Sequence, residues 1–359
     1  MLLSEIITQK IREEGPLSFR DFMEMSLYHP ELGYYTSLED KIGQKGDYYT
    51  SPVLTSLFGE MVGKQLEEMW SILGKKEFTV VEYGAGTGAL CDDILKYLET
   101  NEELYAHLKY CIVEKSAAMR YKQKMILHEK VSWYNRIQDI PKITGCILSN
   151  EVVDNFSVHQ VVMEDDLMEV FVDYHNNFVE ILKPASEELK NYFHQQNITL
   201  PKGYRTEINL QAIDWIQEIA TALNKGFVLT IDYGYLSSEL YREHRRMGTL
   251  TCYCKHSVNA NPYDNIGKQD ITTHVNFSAL HHWGAKSGLE FGCLSNQTSF
   301  LRALGLVNHL RKMEENGKEI NTKTTHTLLN MGNKFKVMVQ QKGIKSQLLS
   351  GMMFSEKLS

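Results

Sequence analysis

The 359-residue sequence predicts an α/β protein of Rossmann-like type, a mostly parallel sheet with helices on both faces. Three observations carry that reading. Phe78-Thr-Val-Val-Glu82 is an apolar run of strand character that ends on an acid. It passes into three alternating glycines, Gly84, Gly86 and Gly88, and then into a segment able to start a helix. One helix's worth of chain later, Tyr110-Cys-Ile-Val-Glu114 repeats the apolar run with its terminal acid, and strands and helices go on alternating beyond it.

The glycine turn is the most informative local feature. Glycines let the backbone turn tightly and let a ligand lie against it, and the helix that follows offers free N–H groups. Two readings compete for the nucleotide it would hold. Gly84-x-Gly86-x-x-Ala89 fits a loose dinucleotide fingerprint. Glu82-x-Gly84-x-Gly86-x-Gly88 instead fits the first motif of S-adenosylmethionine (SAM) methyltransferases. A carboxylate suits the ammonium of the SAM methionine moiety, whereas beside a pyrophosphate it is repulsive. Glu114 can accept both ribose hydroxyls, a device NAD enzymes share, so it indicates a ribose without choosing the cofactor.

The remaining elements follow in order. Met1 to Glu14 reads as an amphipathic helix with Leu2, Leu3, Ile6, Ile7 and Ile11 on one face, and Gly15-Pro16 stops it before a second helix capped by Ser18. An aromatic, turn-rich stretch (27–36) and a glycine-punctuated loop (42–52) precede a long amphipathic helix, 57–73. Strands are expected at 78–82, 110–114, 131–133 and 145–150, with helices from 89 and over about 116–127. From 158 to 179 the period shifts to alternation, which predicts an antiparallel hairpin. Helices at 186–195 and 210–223, a strong strand at 225–235, helices at 277–287 and 299–315 and a last strand at 335–340 complete the chain.

Composition narrows the function classes. A hydrophobic content of 43% suffices for a substantial core, and a net charge of −7 with a pI near 6.0 argues against nonspecific nucleic-acid binding. The basic cluster Arg242, His244, Arg245, Arg246 is short and equally reads as a solvated turn. Six cysteines lack any C-x-x-C pair, which points to a reducing compartment, and Cys252-x-Cys254 with His256 lacks the further ligand pair a metal needs. No apolar run spans a bilayer. The start of the chain reads neither as a secretory signal nor as a transit peptide. The expectation is a soluble cytoplasmic protein of bacterial type, or a mitochondrial-matrix one if a presequence is missing.

The motifs together resemble the MidA-like, DUF185 family of SAM-dependent methyltransferases, from about Gly15 to Gly305. The parts that carry the resemblance are Leu27-Tyr-His-Pro30 with Gly33-Tyr-Tyr-Thr36, Gly46-Asp47-x-x-Thr50-x-Pro52, Leu57-Phe-Gly-Glu60 and the Glu82–Gly88 loop. Asn150-Glu151-x-x-Asp154, Ile231-Asp-Tyr-Gly-Tyr235 and Asp270-Ile-Thr272-x-His274-Val275-x-Phe277 complete the set. Against the family pattern, Asp154-Asn155-Phe-Ser157 stands where aspartate–alanine and a downstream proline are usual, and Pro52-Val53 where Pro-Glu is usual. Met168-Glu169-Val170 replaces a tryptophan–glutamate–arginine pattern. These departures bear on the acceptor more than on the cofactor.

The resemblance implies a seven-stranded, Rossmann-like methyltransferase core over 76–156 and 211–345. An N-terminal helical and loop segment, 1–75, shares the SAM site, and a cap insertion covers 157–210. Glu82, Gly84, Gly86, Gly88 and Glu114 would hold SAM together with Gly46, Asp47, Thr50 and Pro52, with Asn150 beside the methyl donor. Asp47 would be either a lid residue or part of an ordinary Asx turn. Trp133 and Gln138, after the third strand, fall where such folds contact adenine, although Trp133 equally suits core packing. The family's acceptor is a protein arginine, the partner a protein substrate such as a respiratory-complex-type subunit, and a homodimer is a further expectation. Methyl transfer leaves S-adenosylhomocysteine and needs no metal. Glu151 and Asp154 suit a guanidinium, which carboxylates bind bidentately; the other reading is a helix N-cap at Asp154 and a solvated Glu151. His274 could take a proton or be a structural histidine. Two alternatives stay open: a SAM-binding assembly factor with little catalysis, and a nicotinamide oxidoreductase.

Overall fold

The computed structural model describes residues 1–36, 50–127, 129–255, 257–317 and 321–358. Its central sheet has seven main strands. In chain order they are β1 (Phe78–Tyr83), β2 (Leu108–Val113), β3 (Val131–Tyr134), β4 (Ile143–Asn150), β5 (Leu223–Tyr235), β6 (Phe291–Asn296) and β7 (Phe335–Lys342). They lie side by side as β3, β2, β1, β4, β5, β7, β6. Pairing is parallel from β3 to β5, and β7 runs antiparallel to both β5 and β6. Val275–Asn276 and Glu356–Lys357 add short pairings to β5 and β6. The chain winds outward from β1 to β3 and then crosses to β4. A crevice therefore opens at the carboxyl ends of β1 and β4, where such sheets bind ligands.

Alternation along β1 shows how the sheet is buried. Val80 belongs to a core under Ser56–Ile72 and Ala89–Leu98, with Val62, Leu66 and Ile94 fully buried. Val81 points into a second core under Leu210–Ala222 and Phe277–Lys286, with Ile216, Ile219 and Leu280. A strand covered on both faces reads as a continuous apolar run, which is why 78–81 was legible.

The expected antiparallel hairpin forms from His159–Met163 and Leu167–Tyr174, and a third strand, Phe178–Pro184, extends it. Arg205–Ile208 and, from the N-terminal segment, Leu17–Ser18 join them. The first helix, Leu3–Glu14, buries Leu3, Ile7 and Ile11, whereas Leu2 is its exposed N-cap rather than part of the apolar face. Strand β6 escaped the reading because Gly292, Ser295 and Asn296 interrupt its apolar run. The helix expected over 299–315 is two, Gln297–Ala303 and Leu306–Glu315, broken at Gly305 with φ 90°. A small sheet (Thr251–Cys254, Ser257–Asn259, Asp270–Thr272) and the helix Thr322–Met331 were not expected. Among the described residues no helix is long and apolar enough to cross a membrane, and no group of three or more His, Cys, Asp or Glu could hold a metal ion.

Candidate active site and cofactor cavity

The crevice opens into a cavity of about 1260 Å³. Its first wall is the glycine turn after β1. Gly84, Gly86 and Gly88 have φ of 59°, 52° and 87°, the left-handed region that favours glycine. A Cβ on Gly84 would also stand 3.1 Å from Val152 Cγ2, so a side chain there meets the β4 loop.

Glu82 and Glu114 end β1 and continue β2, and both line the cavity. Burial pushes the Glu82 carboxyl up to about 7, against a hydrogen bond from Tyr110 Oη at 2.6 Å, with Glu114 raising it further. Burial also raises Glu114, opposed by the Ser116 N–H at 2.8 Å and by Gln123. Gln123 is fully buried and ties the wall together. Its Nε2 donates to Gly86 O at 2.9 Å and to Glu114 Oε2 at 3.1 Å, and its Oε1 accepts from Trp133 Nε1 at 2.9 Å. Trp133 thus braces Gln123, packs on the core, and is not among the cavity-lining residues. Gln138 sits exposed in the turn Ile137–Asp139, likewise away from the cavity lining, because that turn buries Ile137 and leaves its neighbours to solvent.

The second wall is the loop leaving β4, and its geometry is unusual. Glu151 has φ 54°, a left-handed conformation that costs a non-glycine residue about 1–3 kcal/mol and clusters at functional sites. Its N–H is held by Ile231 O at 2.9 Å. Asp232, at the carboxyl end of β5 and 1% exposed, holds the rest of the loop. Its Oδ2 accepts the N–H groups of Val152, Val153 and Asp154 at 3.2, 3.0 and 3.3 Å.

Three carboxylates are thereby brought together. Glu151 lines the cavity, and burial together with Asp154 pushes it up to about 8 against hydrogen bonds from Asn150 Nδ2 (3.1 Å) and from the Ser51 backbone. Asp154 is raised to about 7 by burial, although Tyr233 Oη donates to it and Asn155 Nδ2 donates at 3.1 Å. Asp232 is raised as well, by burial and by both neighbours. None of the ion pairs among the described residues involves Glu151, Asp154 or Asp232. Such a cluster keeps protons or attracts a cation. Val153–Asn155 is an isolated 3-10 turn, so Asp154 caps no α-helix.

The remaining expected residues divide. Thr50 and Pro52 line the cavity beside Val53, while Gly46 and Asp47 lie outside the described residues. His274 lines it too, edge-on to Tyr233 and Tyr235 with centroids at 5.3 and 5.1 Å. Burial, Arg245 and Lys334 push His274 down to about 4, and its Nδ1 is buried without a partner among the described residues. Asn155, a departure from the family pattern, is 9% exposed and fully engaged. Its Oδ1 lies 2.8 Å from Tyr35 Oη, and its carbonyl accepts from Tyr28 Oη at 3.0 Å. Ser157 likewise uses groups a proline lacks, an N–H to Gln211 Oε1 (3.3 Å) and a hydroxyl to Glu24 Oε2 (2.8 Å).

These residues fit SAM. The left-handed glycine turn leaves room for a ligand against the backbone, acids stand at the ends of β1 and β2, and the buried Asn150 Oδ1 has no partner among the described residues. The family model described as "Putative S-adenosyl-L-methionine-dependent methyltransferase" matches residues 61–294. The chain belongs to this methyltransferase family. The SAM methyltransferase is also similar to a COG1565 superfamily member from Burkholderia thailandensis solved with S-adenosyl-homocysteine. That likeness has a TM-score of 0.88 and 27% identity, and it covers 99% of this chain and 95% of the other. It is 27% identical to the "Protein arginine methyltransferase NDUFAF7 homolog, mitochondrial" of Caenorhabditis elegans, covering 87% of this chain and 78% of the relative. The human "Protein arginine methyltransferase NDUFAF7, mitochondrial" is also 27% identical, with 86% and 75% covered. Family membership decides the ambiguity of the glycine turn for SAM over a dinucleotide.

Proposed function

We propose that this SAM-dependent methyltransferase methylates an arginine side chain of a protein. The observation that carries the proposal is the buried trio Glu151, Asp154 and Asp232 at the carboxyl ends of β4 and β5, which has no ion-pair partner among the described residues. The names of the curated relatives support it.

SAM supplies an activated methyl on a sulfonium, so the chain's own work is to place and deprotonate the acceptor. Glu151 and Asp154 accept the guanidinium's planar donors and fix one nitrogen toward the donor, where orientation contributes several kcal/mol. Asn150 donates to Glu151, and Tyr233 and Asn155 donate to Asp154, which fixes the two carboxylates. Glu151, raised to about 8, is matched to the proton a guanidinium nitrogen gives up as it is alkylated. His274, held neutral, adds no positive charge to compete with the acceptor. The acceptor we infer is a protein subunit of respiratory-complex type, in a reducing compartment such as the cytoplasm, in keeping with six free cysteines.

The test is to incubate lysate with methyl-labelled SAM and the protein, then hydrolyse the labelled acceptor to amino acids. Label in methylarginine is expected. Label confined to another amino acid removes the arginine assignment, and no protein labelling favours the assembly-factor alternative.

A further inference from the structure

The helix Leu210–Ala222 presents an acidic and aromatic face to the cavity that neither SAM nor a single guanidinium at Glu151 and Asp154 uses. Gln211, Asp214, Trp215 and Glu218, spaced i, i+3, i+4, i+7, all line it, so one face of the helix forms that wall. Asp214 and Glu218 are exposed, and neither has an ion-pair partner among the described residues. Asp214 is raised by partial burial and by Glu188 and Glu218, so the face is short of positive charge. Trp215 gives a second, independent sign. It is 5% exposed, and its indole Nε1–H is buried without an acceptor among the described residues. Tyr83 and Phe156 stand edge-on to its ring, at 5.8 and 5.9 Å, and line the cavity with it.

This wall is fixed relative to the carboxylate trio. Asn209 caps the helix by accepting Ala212 N–H at 2.8 Å, while its Nδ2 donates to Val153 O at 3.2 Å. Phe156, two residues after Asp154, packs directly on Trp215. Arg20 and Lys115 also line the cavity; Arg20 is neutralised by Asp21 at 2.8 Å, and Lys115 follows Glu114 on the SAM side.

We propose that the Gln211–Glu218 face is a subsite for a second basic side chain of the acceptor protein, flanking the residue that is methylated. The cation lies between the Asp214 and Glu218 carboxylates, and the Trp215 indole donates to a main-chain carbonyl of the same segment. The subsite rests on the reading of the acceptor as a protein side chain, and it predicts selectivity for acceptor segments with more than one positive charge.

The experiment is calorimetry on the full chain saturated with S-adenosylhomocysteine. The probes are synthetic glycine-based peptides with one arginine, and the same peptides with a lysine added two, three or four residues away. In wild type at least one lysine-bearing peptide is expected to bind about five- to tenfold more tightly than its parent. In a Asp214→Asn, Glu218→Gln variant, shown folded by circular dichroism, that ratio should fall to near one. Equal binding of all peptides by wild type, including no binding, or a preference that survives in the variant, overturns the subsite. The ratio is independent of which amino acid takes the methyl. Loss of the arginine assignment therefore shows in the hydrolysate, and loss of the subsite shows here.

Discussion

The Asp232 carboxylate sits beneath Val153 and accepts its N–H at 3.0 Å, with the N–H groups of Val152 and Asp154 on the same oxygen. One buried side chain on β5 thus sets the conformation of the loop that carries Glu151 and Asp154. It does so despite adding a third negative group to the cluster. Removing the carboxylate leaves three buried donors unmatched, at about 1–3 kcal/mol each when unsatisfied. Asp232→Ala is expected to destabilise by about 3 kcal/mol or more in urea unfolding. Asp232→Asn keeps an acceptor oxygen and relieves repulsion, so it should cost less than half as much. Equal losses would remove the role given to the amide contacts.

A side chain at Gly86 meets both a left-handed backbone and the ligand's path. Gly86→Val should abolish SAM and S-adenosylhomocysteine binding in calorimetry while the protein stays folded. Retained affinity would contradict the placement of the cofactor along the turn.

Gln123 joins Gly86, Glu114 and Trp133 through one amide. Gln123→Ala is expected to weaken S-adenosylhomocysteine about tenfold or more, since two supports of the wall are lost together. Trp133→Phe, which removes only the indole donor, should weaken it by a smaller factor. The order of the two dissociation constants is the check.

The raised carboxyls set the pH dependence. Glu82 and Asp154 at about 7 and Glu151 at about 8 all lie above the ordinary carboxylate range. A folded state that keeps protons the unfolded chain has released gains stability at low pH. That contribution is fully present below about pH 4 and is lost as pH rises through 7 to 8. Unfolding midpoints of the cofactor-free protein should therefore fall from pH 5 to pH 8, and Glu151→Gln should flatten the upper part of the curve. His274, pushed down to about 4, works oppositely. Its contribution is lost only as pH falls from about 6.5 toward 4.

What could be read from the sequence was what short stretches encode by themselves. Glu82, the glycines and Glu114 act at the ends of strands covered on both faces, so strand, turn and acid are contiguous. The positions of Asn150, Glu151 and Asp154 followed from the fourth strand in the same way. Asp232 carried no readable role, because its partners lie 78 to 80 residues away and become neighbours only when β4 and β5 pair. Gln123 was hidden for a similar reason, as a polar residue in a helix pattern that gives no sign of three buried partners. Gln138 was expected at adenine from position alone, and the structure turns it toward solvent. Trp133 was open between adenine and core packing, and the structure packs it on the core, bonded to Gln123. Asn155 reads as a defect against the family pattern, yet it links Tyr28 and Tyr35 to Asp154.

The central claim, that Glu151 and Asp154 place and deprotonate the acceptor, is tested most directly by label transfer from SAM to lysate protein by wild type, Glu151→Gln and Asp154→Asn, with S-adenosylhomocysteine affinity measured alongside. The expected result is transfer reduced by a factor of about 100 or more in each variant, while affinity for the demethylated cofactor changes little. Transfer at the wild-type rate in both variants would contradict it.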